Sequence, residues 1–307
     1  MDPLIVIFGL GVGVLVGLTG MGGGTLMTPL LILVFGIKPV TAIGTDIAYA
    51  AVTKTVGGLK HFRMGTVDVA LSTWMALGSV PAAVAGVVTL GKLEAAYGKS
   101  FDSLVLALVA GALLLTGVSM LTRILFMPKL ADRERSSVPM GRREKISAVV
   151  LGIFVGFVLG VTSAGSGALI AVGLIVFFRL VPHRVVGTDV FHAALLLWAA
   201  GIAHVIAGNV DYGLTLNILL GSVPGIWLGS HLSARMAVQE LRIALVVVVF
   251  ASGLGLASKA GAPIPGWVLG AAPLGLFLWI VGTRLAATNR RKAVARAEAL
   301  HAGGRCA

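Results

Sequence analysis

Eleven apolar runs separated by short polar punctuation account for almost the whole chain. They cover 4–18, 25–37, 42–60, 69–90 and 101–123, then 147–162, 167–180, 187–206, 212–232 and 240–258, and finally 265–286. Leu, Val and Ala dominate them without the period-two alternation of barrel strands, so the pattern predicts helices. A bilayer core of about 30 Å takes roughly 20 helical residues, and shorter helices suffice where protein holds them. The expected fold class is therefore all-α: a polytopic helical membrane protein. Pro39, Pro182, Pro263 and Pro265 mark loops or first helical turns. Phe126–Glu144 is charged, contains two prolines and divides the chain into halves.

The halves are copies of one another. Residues 17–86 align without a gap on 160–229, a shift of 143, and 26 of the 70 positions are identical. Gly17, Thr19, Gly22 and Gly24 recur as Gly160, Thr162, Gly165 and Gly167. Gly44-Thr45-Asp46 recurs as Gly187-Thr188-Asp189, and His61, Gly65, Val67 and Asp68 as His204, Gly208, Val210 and Asp211. Gly78-Ser79-Val80-Pro81 recurs as Gly221-Ser222-Val223-Pro224. In so apolar a chain, this duplication is the signature of a secondary transporter whose site forms between two repeats. It divides the chain into a first transmembrane repeat (1–125), a basic linker (126–146), a second repeat (147–262), a final transmembrane helix (263–287) and a basic tail (288–307).

Composition agrees. The chain is 57% hydrophobic and 12% charged, with a mean hydropathy of +1.00, which excludes a soluble globular protein. The net charge of +12 does not form a nucleic-acid face: seven of the 24 Lys and Arg lie between Arg123 and Lys145 and six from Arg284 onward. That distribution belongs to the cytoplasmic flanks of membrane helices. Cys306, the only cysteine, gives neither a disulfide framework nor a thiolate metal site. Met1-Asp2-Pro3 lacks the basic start of a cleaved signal peptide. Neither glycine cluster is followed by Lys-Ser or Lys-Thr at P-loop spacing, so no nucleotide is expected, nor any other cofactor.

Charge also chooses a topology. With an odd number of crossings per half, which makes the repeats inverted, and a cytoplasmic linker, 19 Lys and Arg fall inside and four outside, with Lys54 mid-segment. If 4–37 and 147–180 are each one broken crossing, the same sum is 10 inside and 13 outside. The positive-inside rule selects the inverted arrangement, with linker and C-terminus in the cytoplasm. Two short crossings and a re-entrant hairpin have the same parity, so that choice stays open for the first two segments of each half.

The polar residues inside these runs are the candidate chemistry. The breaks Thr19–Gly24 and Thr162–Gly167 are non-helical backbone at membrane depth, tolerated only inside protein or along a wet cavity. Opened helix ends present N–H groups with a partial positive charge, suited to an oxoanion. Gly20, Gly22, Gly23 and Gly24 permit close backbone approach, and Thr19 and Thr25 add hydroxyls. In the second break Gly165 and Gly167 alternate with Thr162, Ser163 and Ser166. The competing reading is that small residues only let helices pack closely. Asp46 and Asp189 are either helix caps or a proton or cation site. Lys54, whose repeat partner is Leu197, is expected as a buried cation pairing with an acidic group or with the substrate anion; the alternative is a snorkelling lysine. His192, opposite Tyr49, lies one turn after Asp189. His61 and His204 precede a Gly-x-Val-Asp turn in both halves and fit hydrogen-bonding or C-cap roles better than proton coupling. Asp68 and Asp211 are read as caps of the following helices.

Gly17-Leu-Thr-Gly-Met-Gly-Gly-Gly-Thr25, followed by Pro29 and by Ala42-Ile-Gly-Thr45, resembles the sulfite exporter TauE/SafE family of membrane permeases. The resemblance covers essentially the whole chain, both repeats included. It implies movement of sulfite, sulfonates or related organic anions, a family in which many members have no known substrate. The chain departs from the commoner pattern in having Asp46 and Asp189 where a small polar residue often follows Gly-Thr. The expected function is a secondary transporter of a small anion by alternating access, coupled to the proton gradient and embedded in the lipid bilayer, with no nucleic-acid partner and an open oligomeric state. Two rivals are a passive anion channel and an intramembrane serine hydrolase built on Ser166 with His192 or His204. The hydrolase leaves the duplication unexplained.

Overall fold

The computed structural model describes residues 2–19, 24–130, 135–165, 167–233, 238–280 and 282. Its elements are helices: α1 (Pro3–Thr19), α2 (Gly24–Leu33), α3 (Pro39–Arg63), α4 (Val69–Tyr97), α5 (Phe101–Leu130), α6 (Arg142–Thr162), α7 (Leu169–Phe178), α8 (Pro182–Ile206), α9 (Tyr212–Ser233) and α10 (Val238–Lys259), then α11 (Gly266–Ile280). A 3-10 turn at Gly98–Ser100 joins α4 to α5. The five helices of the first half thus recur in order as α6–α10. Five helices are long and apolar enough to cross a membrane by themselves: α4, α5 (over Phe101–Thr122), α6, α8 and α9 (over Tyr212–Leu232). α2 and α7, at 10 residues each, span only about 15 Å.

Packing exchanges partners between the halves. α1 packs on α9 and α4 on α6, while α3 pairs with its own equivalent α8 and α5 with α10. The first two pairs are made by glycine. Gly152, Gly156 and Gly160 place one bare face of α6 against α4, where an added Cβ would lie 2.2–2.3 Å from the carbonyl oxygens of Met75, Ser79 and Ala83. The equivalent Gly9, Gly13 and Gly17 set α1 against Ile218, Ser222 and Ile226 of α9, and Gly221, Gly225 and Gly229 answer against Val6, Leu10 and Val14. Lipid tails are as apolar as leucine, so contact rather than hydrophobic burial holds such helices together, and small residues permit it. Gly17, Gly160, Gly78 and Gly221, the most conspicuous duplicated glycines, therefore serve packing.

The outer surface is apolar, as a lipid-facing surface requires: Val150, Ile153 and Phe154 of α6, Trp198 of α8 and Trp227 of α9 are all exposed. The polar residues turn inward, with Thr28, Thr45, Asp46, Ser79, Thr188, His192 and His204 fully or nearly fully buried. The end of the linker is tied down. Arg135 donates its N–H to Arg179 O (2.8 Å) and accepts from Val181 N (3.0 Å), and Val138 N donates to Asp68 Oδ2 (3.2 Å).

Candidate functional site

The duplicated Gly-Thr-Asp segments sit inside helices because those helices start early. Pro39 and Pro182 occupy the first helical turn, where a missing N–H costs nothing and a fixed φ helps. Asp46 and Asp189 are thus the eighth residues of α3 and α8. The capping expectation for them is corrected: the first-turn N–H groups a cap would serve lie a turn or more away. The caps are Asp68 and Asp211, whose Oδ1 atoms accept from Leu71 N (3.1 Å) and Leu214 N (2.9 Å).

Each residue of the motif has its own task. A Cβ on Gly44 would lie 2.4 Å from Asn209 O, and one on Gly187 2.5 Å from Thr66 Oγ1, so the turn of one half rests on the helix of the other. Thr45 Oγ1 then accepts from Asp211 N (3.1 Å) and Thr188 Oγ1 from Asp68 N (2.9 Å), again across the halves. The aspartates point to the breaks. Asp189 Oδ1 accepts from Gly167 N (3.2 Å). Asp46 Oδ2 accepts the hydroxyls of Thr28 (2.5 Å) and Ser163 (2.8 Å).

The second break is a sharp turn. Ser163 closes α6 in the left-handed conformation at φ 59°, followed by Gly165 at 110° and Gly167 at 99°. Left-handed backbone costs a non-glycine residue roughly 1–2 kcal/mol, and here it aims the Ser163 hydroxyl at Asp46. From the other side comes the start of α2: a Cβ on Gly24 would lie 2.7 Å from Ser163 O and 3.5 Å from Asp46 Oδ2. The beginning of α2, the second break and Asp46 therefore converge at one point between the halves. Asp46 is fully buried, and among the described residues its Oδ1 has no hydrogen-bond partner.

The other candidates lie elsewhere on these helices, Lys54 roughly 12 Å beyond Asp46 along α3. Thr19 ends α1 and Thr25 is buried on α2; Gly20, Gly22, Gly23 and Ser166 lie outside the described residues. Thr162 donates its hydroxyl to Val158 O (2.6 Å) and accepts from Ala164 N (3.2 Å), so it shapes the turn. Lys54 is only 8% exposed, and its Nζ has no hydrogen-bond partner; the acidic partner expected for it is absent among the described residues. Its neighbour Thr55 marks the α3–α8 crossing, accepting from Trp198 Nε1, its own repeat equivalent, at 2.8 Å.

Two histidines fill structural roles. His204 Nε2 lies 3.0 Å from Gly160 O and Nδ1 3.2 Å from Asn209 Nδ2. Donation to the carbonyl and acceptance from the amide use both ring nitrogens of a neutral imidazole. His61 Nδ1 lies 3.0 Å from Thr66 Oγ1 beside the turn it precedes. His192 is fully buried with Nε2 3.2 Å from Ser79 Oγ on α4. Thr28 and Ser79 escaped the sequence reading. Ser79 was visible in the duplicated Gly-Ser-Val-Pro, but Thr28 has Ala171 as its equivalent and comparison of the halves hides it.

Chemically, the convergence point is a buried carboxylate with one oxygen held by two hydroxyls and the other without a partner among the described residues; ionisable groups are expensive to keep at such depth. Among the described residues no group of three or more His, Cys, Asp or Glu is placed to hold a metal ion.

Comparison with known proteins converges on one family. A family model described as sulfite exporter TauE/SafE matches residues 5–256. The chain is 39% identical over 256 residues to "Probable membrane transporter protein YjnA" of Bacillus subtilis (strain 168), covering 83% of this chain and all of the relative. It is 30% identical over 244 residues to "Probable membrane transporter protein YdhB" of the same organism, covering 79% and 94%. A probable membrane transporter protein of Xylella fastidiosa (strain Temecula1 / ATCC 700964) is 28% identical over 244 residues, covering 78% and 88%. No solved structure matches. With a match spanning both halves of the helical bundle, this chain belongs to the sulfite exporter TauE/SafE family of multi-pass membrane transporters.

Proposed function

We propose that the protein is a secondary transporter of a small anion, of the sulfur oxoanion, sulfonate or related organic-anion class, driven by the proton gradient. The observation that carries this reading is Asp46. A carboxylate buried at mid-bundle, bonded by Thr28 of the first half and Ser163 of the second, is expensive to keep there unless its charge is used. Charged, Asp46 repels an anion from the adjoining break; protonated, it admits one. Proton and anion would therefore occupy the site together, which is symport. Lys54, buried without a partner, would balance the anion's charge.

Alternating access fits the packing. The two glycine pairs, α1 with α9 and α4 with α6, each unite the halves in close backbone contact and suit rigid units. Inverted repeats with a cytoplasmic linker, in a bacterial inner membrane, complete this reading, and the distribution of Lys and Arg supports that orientation. The hydrolase alternative rests on Ser166, which lies outside the described residues; among the described residues the hydroxyl beside His192 is Ser79 inside α4, and His192 Nδ1 has no hydrogen-bond partner. The test is flux into proteoliposomes with a panel of sulfur oxoanions, sulfonates and carboxylates. Uphill accumulation of one class, appearing with an imposed pH gradient and vanishing with protonophore, is expected. Flux that only runs downhill would make the protein a channel.

A further inference from the structure

On the outer face of the second half, two clefts run into one another. An apolar cleft of about 600 Å³ between α5, α6 and α7 is lined by Leu115, Val150, Phe154, Val172, Val176 and Phe177. At Ser147, Val176 and Phe177 it joins a polar cleft of about 380 Å³ that contains Arg135, Arg143 and Arg179, with Glu144 as the opposing carboxylate. All three arginines are exposed. α6 starts at this polar end with Gly141 as its N-cap and no side-chain cap, so its first-turn N–H groups and partial positive charge add to the arginines. At the one of these positions that the repeat covers, the first half carries no charge. Arg179 falls where the first half has Gly36: both take the left-handed conformation after a short helix, at φ 54° and 65°. An arginine stands in the second half where its repeat has the residue that suits that backbone best.

The order of chemistry along α6 identifies the occupant. Arg143 is followed within a turn by Ile146, then Val150 and Phe154, all three about half exposed or more. From Arg143 to Phe154 is roughly 16 Å of helix, close to the depth of one leaflet's hydrocarbon. A free anion would leave the apolar cleft unfilled, and an acyl chain alone would leave the arginines without a counter-charge. We propose that these joined clefts bind one anionic phospholipid, its phosphate among Arg135, Arg143 and Arg179 and an acyl chain between α5, α6 and α7. The lipid would hold the end of the linker, through Arg135, to the α6–α7 hairpin that carries the second break.

The test uses the full chain purified in neutral detergent, with lipid binding followed by native mass spectrometry and thermal unfolding. Dioleoyl phosphatidylglycerol should bind about tenfold more tightly than dioleoyl phosphatidylcholine and raise the unfolding temperature more. Arg143→Gln combined with Arg179→Gly should abolish that preference while the protein stays folded, since glycine suits position 179. Dihexanoyl phosphatidylglycerol and inorganic phosphate should bind far more weakly. Equal binding of the two dioleoyl lipids, or preference retained by the double variant, would overturn the proposal. Inorganic phosphate matching phosphatidylglycerol would also overturn it, in favour of a simple anion site.

Discussion

Ser163 of the second half donates its hydroxyl to Asp46 of the first at 2.8 Å, from a left-handed backbone position that places it there. The break in one repeat is thereby wired to the carboxylate of the other. A motion that separates the halves at this point must break the bond or carry Asp46 with it. Proton occupancy at Asp46 and the conformation of the second break are then linked.

The first prediction follows from that link. Asp46→Asn removes the exchangeable proton and keeps size and polarity. It should abolish uphill, pH-gradient-driven accumulation while leaving downhill exchange of the substrate measurable in the same proteoliposomes. Asp189→Asn should cost less, because Asp189 accepts from the backbone of its own half at Gly167. If Asp46→Asn still concentrates substrate against a gradient, the coupling proton sits elsewhere.

A second prediction concerns the hydroxyls. Ser163→Ala and Thr28→Val each remove a donor to Asp46 Oδ2. A hydrogen bond to a charged group is worth about 1.5–3 kcal/mol, so either variant favours the protonated carboxylate. The pH at which transport is half-maximal should therefore move upward, more in the double variant. An unchanged pH profile would mean that Asp46 does not titrate during the cycle.

Much of this arrangement was legible in the sequence. The eleven apolar runs match the described helices in number and order, the duplication located the second break, and the Gly-x-Val-Asp turns gave Asp68 and Asp211 as caps. The misplacement of Asp46 and Asp189 came from starting α3 and α8 at residues 42 and 187. Pro39 and Pro182 were the better signal, because proline is at home in a first helical turn. The meeting of the start of α2 with the second break was not legible, since Gly24 and Ser163 approach one another across the halves. Equally hidden was Thr28, which does not repeat. Of the two partners expected for Lys54, an acidic group or the substrate anion, the first is absent among the described residues.

The third prediction separates packing glycines from spectators. Gly156→Ala places a methyl 2.2 Å from Ser79 O, and Gly13→Ala one 2.4 Å from Ser222 O, so backbones must part. Each should lower the unfolding temperature in detergent clearly. At Gly91 and Gly111, also helical, no atom lies within 4 Å of an added Cβ. Alanine there should be neutral or stabilising by about 0.5–1 kcal/mol, the ordinary helix preference. Equal effects at all four positions would remove the close-contact explanation.

Topology gives the fourth. With Cys306 replaced by serine, cysteines at exposed Ser137 and Tyr212 report on the linker and on the α8–α9 turn. In the inverted arrangement an impermeant maleimide labels position 212 in intact cells and position 137 only after lysis. The opposite pattern would place the linker outside, and labelling of both in intact cells would make the crossings per half even.

The last prediction uses the sign of two effects at Lys54. A buried ammonium that has no hydrogen-bond partner among the described residues is expected to destabilise the resting protein, because burial costs it solvation. Lys54→Met keeps the length and apolar stem while removing the charge, so unfolding temperature should rise. If Nζ is where the substrate's charge is balanced, the same variant should transport poorly, with its apparent affinity falling more than its maximal rate. Lys54→Arg should recover part of the affinity, since it restores the charge in a different shape. A stabilised variant that has lost affinity identifies a binding residue kept at the expense of stability. A stabilised variant with normal affinity would show that Lys54 carries no substrate charge, and the anion would then have to be held by the breaks alone.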